Sequence, residues 1–202
     1  MELLRPRLRA RAETRVLGSR FLAEAGPIEN EAEARTRRAT LAEECAGATH
    51  LCWAVRLRAP GGLERELSDD AGEPSGTAGL PILQALRGAG VSQALVVVAR
   101  WFGGVKLGRG GLRRAYRDAA RAALLGAGTE RVEARAAIRI AGPVGQDGEV
   151  RHLAARHGGR IAAAGYDDDG VATLEIDLPE ANARAFAAAL GELTRGAWRL
   201  VS

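Results

Sequence analysis

The chain has 202 residues, 47% of them hydrophobic and 27% charged, with a formal net charge of +4. This composition excludes disorder throughout and suits one large domain or two small ones. No apolar run approaches the roughly eighteen residues of a membrane span, and the arginine-studded start "MELLRPRLRARAETR" lacks an apolar export segment, so a cytoplasmic protein with no membrane partner is expected.

Strands are predicted over about 12–17 and 19–25, followed by a charged, alanine-rich helix over about 29–44. "THLCWAVRL" alternates, with Leu51, Trp53, Val55 and Leu57 on one face and His50, Cys52, Ala54 and Arg56 on the other. A Pro-Gly-Gly turn at 60–62 joins this strand to "LEREL" as a hairpin. The loop "SDDAGEPSGTAG" leads to a short helix near 80–88, with Pro81 in its first turn. "ALVVVAR" then reads as a buried strand, followed by a glycine loop and a helix over about 111–125. In that helix Leu112, Ala115, Tyr116, Ala119, Ala123 and Leu124 form the inner stripe. Turn residues in "GAGTERVEA" divide the chain into domains 1–132 and 133–202. The second domain reads strand 135–141, helix 146–157, strand 159–165, strand 171–178, helix 180–194 and strand 197–201, the βαββαβ order of ferredoxin-like folds. An RNA-recognition motif shares this order but needs aromatics on its central strands, and "RAAIRIAG" and "ATLEIDL" have none.

Charge is uneven along the chain. Residues 100–121 hold seven basic side chains (Arg100, Lys106, Arg109, Arg113, Arg114, Arg117, Arg121) against Asp118 alone, while the arginines of "RPRLRAR" read largely as surface filler. Gly103, Gly104, Gly108, Gly110 and Gly111 lie between a strand and a helix, where bare N–H groups and a helix N-terminus favour anions. Neither the P-loop nor the dinucleotide glycine spacing fits, so nucleotide hydrolysis of that kind is not expected. The plain alternative is a tight crossover that needs glycine.

Asp69, Asp70 and Glu73 are candidates for a hard cation beside Lys106, although capping by Ser75 or Thr77 and Asx turns explain most of that loop without metal or cofactor. His50 shares a strand face with Cys52, but no recognised nucleophile arrangement accompanies them. His152 and His157 do not share a helix face. Cys45 and Cys52 lack zinc-ribbon spacing and read as buried thiols.

The segments "GSRFLAEAGPIENEAEA", "ATHLCWAVRL", "SDDAGEPSGTAGLPILQAL" and "VVVARWFGGVKLGRGGLRRAYRDAARAAL", in that order, closely resemble the YigZ/IMPACT family over residues 15–125. The resemblance implies a two-layer α/β N-terminal domain like ribosomal-protein and elongation factor G domains. It also implies a ferredoxin-like companion, giving an α+β protein overall. Eukaryotic members regulate translation by competing for the activator of the starvation-responsive general-control kinase. Three departures from the family pattern stand out: Gly18 replaces the lysine of "KSRF", Ala71 lengthens "SDDGEPSGTAG" by one residue, and Trp101 replaces the tyrosine of "RYFGG".

The expectation is a non-enzymatic regulator of translation or stress response that binds RNA or the ribosome. The seven basic residues and five glycines would form its track, with Trp101, Phe102 or Tyr116 available to stack a base. Two alternatives stand beside it. One is an enzyme or binder of a phosphorylated small molecule built on His50, Ser68, Asp69, Asp70, Glu73, Ser75 and Thr77 with the glycine loop. The other is a protein-protein regulatory module.

Overall fold

The structure, a computed structural model, describes residues 2–58 and 63–201, so the Pro-Gly-Gly turn expected at 60–62 lies outside the described residues. It separates into two compact units, one over 3–58 and 63–132 and the other from 133 onward. No helix among the described residues is long and apolar enough to cross a membrane.

The first unit contains β1 (Glu2–Pro6), β2 (Ala10–Val16), β3 (Ser19–Pro27), α1 (Glu31–Glu44), β4 (His50–Arg58), β5 (Glu64–Asp69), α2 (Gly79–Gly88), β6 (Ala94–Trp101), α3 (Gly108–Ala127) and β7 (Thr129–Glu133). Five strands form an antiparallel sheet in the order β2-β3-β6-β4-β5. The apolar run of β6 takes the central place because both of its faces are covered. Val96 and Val98 pack toward α2 and α3, and Leu95 and Val97 toward α1. The sheet with α2 and α3 supplies the two expected layers, and α1 adds a thin third one. This helix buries only Ala34 and Leu41. Polar contacts compensate: Asn30 Oδ1 caps Glu33 N at 2.9 Å, and the Arg37 guanidinium donates to the buried Glu24 carboxylate at 2.6 Å. Burial alone would raise the Glu24 pKa, but hydrogen bonds from Arg37 and Arg11 hold it below the usual carboxylate range.

The opposite face carries the main core. Tyr116 of α3 and Phe21 of β3 meet edge to face with ring centroids 5.2 Å apart, a geometry worth about 0.5–1.5 kcal/mol beyond area burial. β1 and β7 pair only with each other. Neither was expected from the sequence. Several early arginines, read there as surface filler, tie elements together: Arg5 reaches Glu29 and Glu130, each at 2.9 Å, and Arg9 reaches Glu33 at 2.7 Å.

The second unit contains β8 (Arg135–Pro143), a 3-10 turn (Val144–Gln146), α4 (Asp147–Arg156), β9 (Arg160–Tyr166), β10 (Val171–Pro179), α5 (Glu180–Thr194) and β11 (Arg199–Leu200). Its sheet order is β11-β8-β10-β9, the split βαβ arrangement expected of a ferredoxin-like domain. Ile140, Leu174, Ile176, Leu178, Phe186 and Trp198 lie in the core between the sheet and its two helices.

Candidate functional site

Strand alternation sets up the site. His50 and Cys52 of β4, Arg100 of β6, and Ser19 and Phe21 of β3 all project to the side of the sheet that holds α2 and α3, because the register pairs Arg100 with both Phe21 and His50. Arg100 is therefore buried. Its Nη1 donates to Glu73 Oε1 at 2.6 Å, and the two side chains are 6% and 2% exposed. Tyr116 OH donates to the same oxygen at 2.8 Å, and Arg100 Nη2 donates to Ser19 Oγ at 3.3 Å. Arg100 thus leaves the expected basic track, since its charge is spent inside the protein. Tyr116 is likewise core, and burial, with Cys52 and Glu73 beside it, pushes its phenol far above the ordinary range.

The acidic loop is held by its own carboxylates and by β4. Asp70 Oδ1 accepts from Ala78 N and Gly79 N, each at 2.8 Å, and Oδ2 accepts from Gly76 N at 2.7 Å. Asp70 therefore caps α2, in place of the expected Ser75 or Thr77. Thr77 is buried and donates its hydroxyl to Pro74 O. Asp69 Oδ1 accepts from Ala71 N at 2.8 Å, the expected Asx turn, and Ser68 is exposed at the end of β5. The additional Ala71 takes φ 45° beside Gly72 at φ 88°, and its carbonyl accepts from His50 Nδ1 at 2.9 Å. Because a carbonyl only accepts, Nδ1 carries the proton. Cys52 Sγ donates to Asp70 O at 3.0 Å, and burial pushes its thiol up to about 12, which removes it as a thiolate nucleophile at neutral pH.

The three loop carboxylates each accept hydrogen bonds from protein donors and do not converge. Among the described residues no group of three His, Cys, Asp or Glu side chains is placed to hold a metal. The loop acts as a brace, and Asp70 is a measurable part of it. Burial disfavours its charge, but the N–H groups of Gly76, Ala78, Gly79 and Thr77 outweigh that and hold its pKa below the usual range. Its contribution is therefore complete at neutral pH and is lost as the pH falls through the folded-state value. Asp70→Asn is expected to cost about 1–2 kcal/mol at pH 7. Urea titrations should show the gap to wild type closing below about pH 4. A gap independent of pH would contradict the assignment.

Both motif loops meet at the start of α3. Arg109 Nη2 donates to Ser75 O at 2.8 Å and Arg113 Nε to Gly76 O at 3.1 Å, fastening the acidic loop to the first turns of the helix. That helix starts at Gly108, three residues earlier than expected, with Leu107 as an N-cap that supplies no side-chain acceptor. Gly108, Arg109 and Gly110 are exposed. Gly103 serves close packing instead. A Cβ there would sit 1.9 Å from the Gly18 carbonyl carbon, so the loop crosses the β2–β3 turn backbone to backbone. Leu17 and Gly18, with φ 44° and 80°, form that two-residue turn, and Gly103 N donates to Ser19 Oγ at 3.3 Å.

Lys106, Arg114 and Arg121 are exposed and have no ion-pair or hydrogen-bond partner among the described residues, while Arg117 makes only a 3.4 Å contact with Asp118. Of the aromatics, Phe102 is 48% exposed, whereas one face of Trp101 is covered by the Arg20 guanidinium at 4.1 Å. Sequence reasoning missed Ser19, Arg20 and Thr49, whose Oγ1 accepts from Phe102 N at 3.1 Å. The inward turn of Arg100 did have a signal, since it stands two residues beyond Val98 on one strand face.

An antiparallel five-stranded domain whose acidic loop is braced against a glycine-started basic helix, together with a split βαβ unit, defines a protein class. The chain matches the Impact N-terminal domain over residues 17–124 and a domain of unknown function, DUF1949, over 146–197. It belongs to the IMPACT family. It is 33% identical to an IMPACT family member of Haemophilus influenzae over 96% of this chain and 94% of that one. It is also 33% identical to the IMPACT family member YigZ of Escherichia coli, over 77% of this chain and 75% of the relative. Among solved structures, the crystal structure of a hypothetical protein covers this whole chain and 97% of its own at 29% identity, with a TM-score of 0.72.

Proposed function

We propose that the chain binds the phosphate backbone of RNA, free or in the ribosome, as a non-enzymatic module in the control of translation. The observation that carries this reading is the division of labour at the site. The acidic loop and Arg100 are committed to internal bonds, while Lys106, Arg114 and Arg121 stand exposed and without partners among the described residues. Arg109, Arg113 and Arg117 extend the row, keeping guanidinium N–H groups beyond those used on Ser75, Gly76 and Asp118. The exposed turn from Gly108 adds backbone N–H groups and the positive end of the helix dipole. Phosphate contact of this kind positions a protein without reading sequence. Membership of a family whose eukaryotic members regulate translation points the same way.

Pelleting with ribosomes and with free RNA tests the reading. Binding is expected to fall steeply between low and physiological salt, because each phosphate contact releases counterions. Pelleting that is unaffected by salt, or absent even at low salt, would overturn it. A phosphorylated small molecule held through a metal finds no free carboxylate set here, because Asp70 and Glu73 are already bonded to protein donors.

A further inference from the structure

The C-terminal halves of α2 and α3 leave a groove of about 340 Å³ between them. Ala85, Ala89, Val91, Leu124 and Leu125 give it an apolar lining, with Arg121 at its edge. Leu125 is 85% exposed, the most open large apolar side chain among the described residues. Its position on α3 is one turn beyond Arg121, so the basic face of the helix runs directly into the apolar groove. A second cation stands at the C-terminal end of α3: the Arg7 guanidinium lies beside the groove residue Gly128, 3.7–3.9 Å from where a Cβ would be, and Arg7 N donates to Gly128 O at 3.1 Å. Neither Arg7 nor Arg121 has an acidic partner among the described residues. Asp118 is engaged with Arg117, Glu130 with Arg5, and Glu13 with Arg15 and Arg20.

We infer that this groove docks a short amphipathic helix of a protein partner, with leucine-like residues seated between α2 and α3 and flanking Asp or Glu side chains facing Arg121 and Arg7. Two considerations select that occupant. A groove between two packed helices accepts the side-chain ridge of a third, and apolar residues spaced three and four apart fill it. The lining is aliphatic and carries no stacking ring, which suits a leucine face and offers nothing to a nucleobase, while its two free cations call for a negatively charged rim. The inference goes beyond phosphate binding along α3, with which it shares Arg121, and is therefore tested at Leu125 and Arg7, which lie outside the phosphate-binding row.

The test is fluorescence anisotropy of the full-length protein with a labelled helical peptide of about 16 residues, carrying leucine at every third and fourth position and glutamate between. Saturable binding is expected, weakened about tenfold or more by Leu125→Asp, which removes a buried leucine from the complex. Arg7→Ser should weaken binding about threefold, and exchanging glutamate for lysine in the peptide should weaken it about tenfold. Leu125→Ser, which truncates the same side chain without adding a charge one turn from Arg121, should also weaken peptide binding but leave RNA pelleting unchanged, so failure of the groove and failure of the phosphate-binding surface read out differently. Because the peptide exchange uses unaltered protein, the test holds even if a variant fails to fold. Absence of binding at millimolar peptide, equal binding by both peptides, or equal binding by folded Leu125→Asp would each overturn the inference. So would a wild-type dimer in sedimentation that Leu125→Asp converts to monomer, since a second copy would then be the occupant.

Discussion

Glu73→Ala is expected to destabilise the first unit by about 3–5 kcal/mol, the cost of leaving a buried charge without its partner. The Arg100 guanidinium would be left among Tyr116, Ser19 and the Phe21 and Phe102 rings, with a single side-chain hydrogen bond among the described residues, at 3.3 Å to Ser19 Oγ. Tyr116 OH would lose its acceptor as well. Arg100→Ala should cost a similar amount for the converse reason. Replacing both with apolar residues of similar volume, Glu73→Leu with Arg100→Met, should cost far less than the sum, because no unpaired charge is then buried. Denaturant titration followed by tryptophan fluorescence in a Trp198→Phe background, which leaves Trp53 and Trp101, reports on this unit. A loss below about 1 kcal/mol for either single variant would show that water reaches the pair and that it does not hold the loop.

Gly103→Ala should be the second large loss, about 3 kcal/mol. The added Cβ meets Gly18 O at 2.2 Å and Ser19 N at 2.2 Å, all backbone, so the glycine loop and the β2–β3 turn must separate. That movement also breaks the bond from Gly103 N to Ser19 Oγ, which supports Arg100. Gly110→Ala provides the contrast within the same run. A Cβ there meets nothing nearer than Arg114 Nη1 at 4.0 Å, and an alanine in a helix is favoured over glycine by roughly 0.5–1 kcal/mol. Thermal melts should therefore move in opposite directions. Equal shifts would mean that the loop uses its glycines interchangeably, as an anion cradle would.

That contrast also shows how far the sequence could be read. The apolar run of β6, the hairpin alternation of β4 and the inner stripe of α3 were legible because each buries a periodic set of side chains. β1 and β7 were not, since both are short and charged and satisfy their backbones only by meeting each other across more than a hundred residues. At the site, composition assigned Arg100 to the same basic cluster as Lys106 and Arg114. Only the register, which turns Arg100 inward with Val98, separates a structural cation from the exposed ones. The acidic loop followed the same logic. Its carboxylates resembled a cation site in spacing, but Asp70 is directed at the N–H groups of Gly76, Ala78 and Gly79, and Glu73 at Arg100. In this chain the acidic motif therefore forms a brace, and we propose that the solvent-facing cations beside it are the binding surface.

The most direct test of that conclusion is the salt dependence of RNA affinity for wild type against Lys106→Ala/Arg114→Ala, two exposed cations with no internal bond to lose among the described residues. The double variant should melt like wild type, bind roughly tenfold more weakly at low salt, and lose about 1.4 from the slope of log affinity against log salt for single-stranded RNA. An unchanged affinity and slope, with the fold intact, would contradict the account and move the binding surface away from α3.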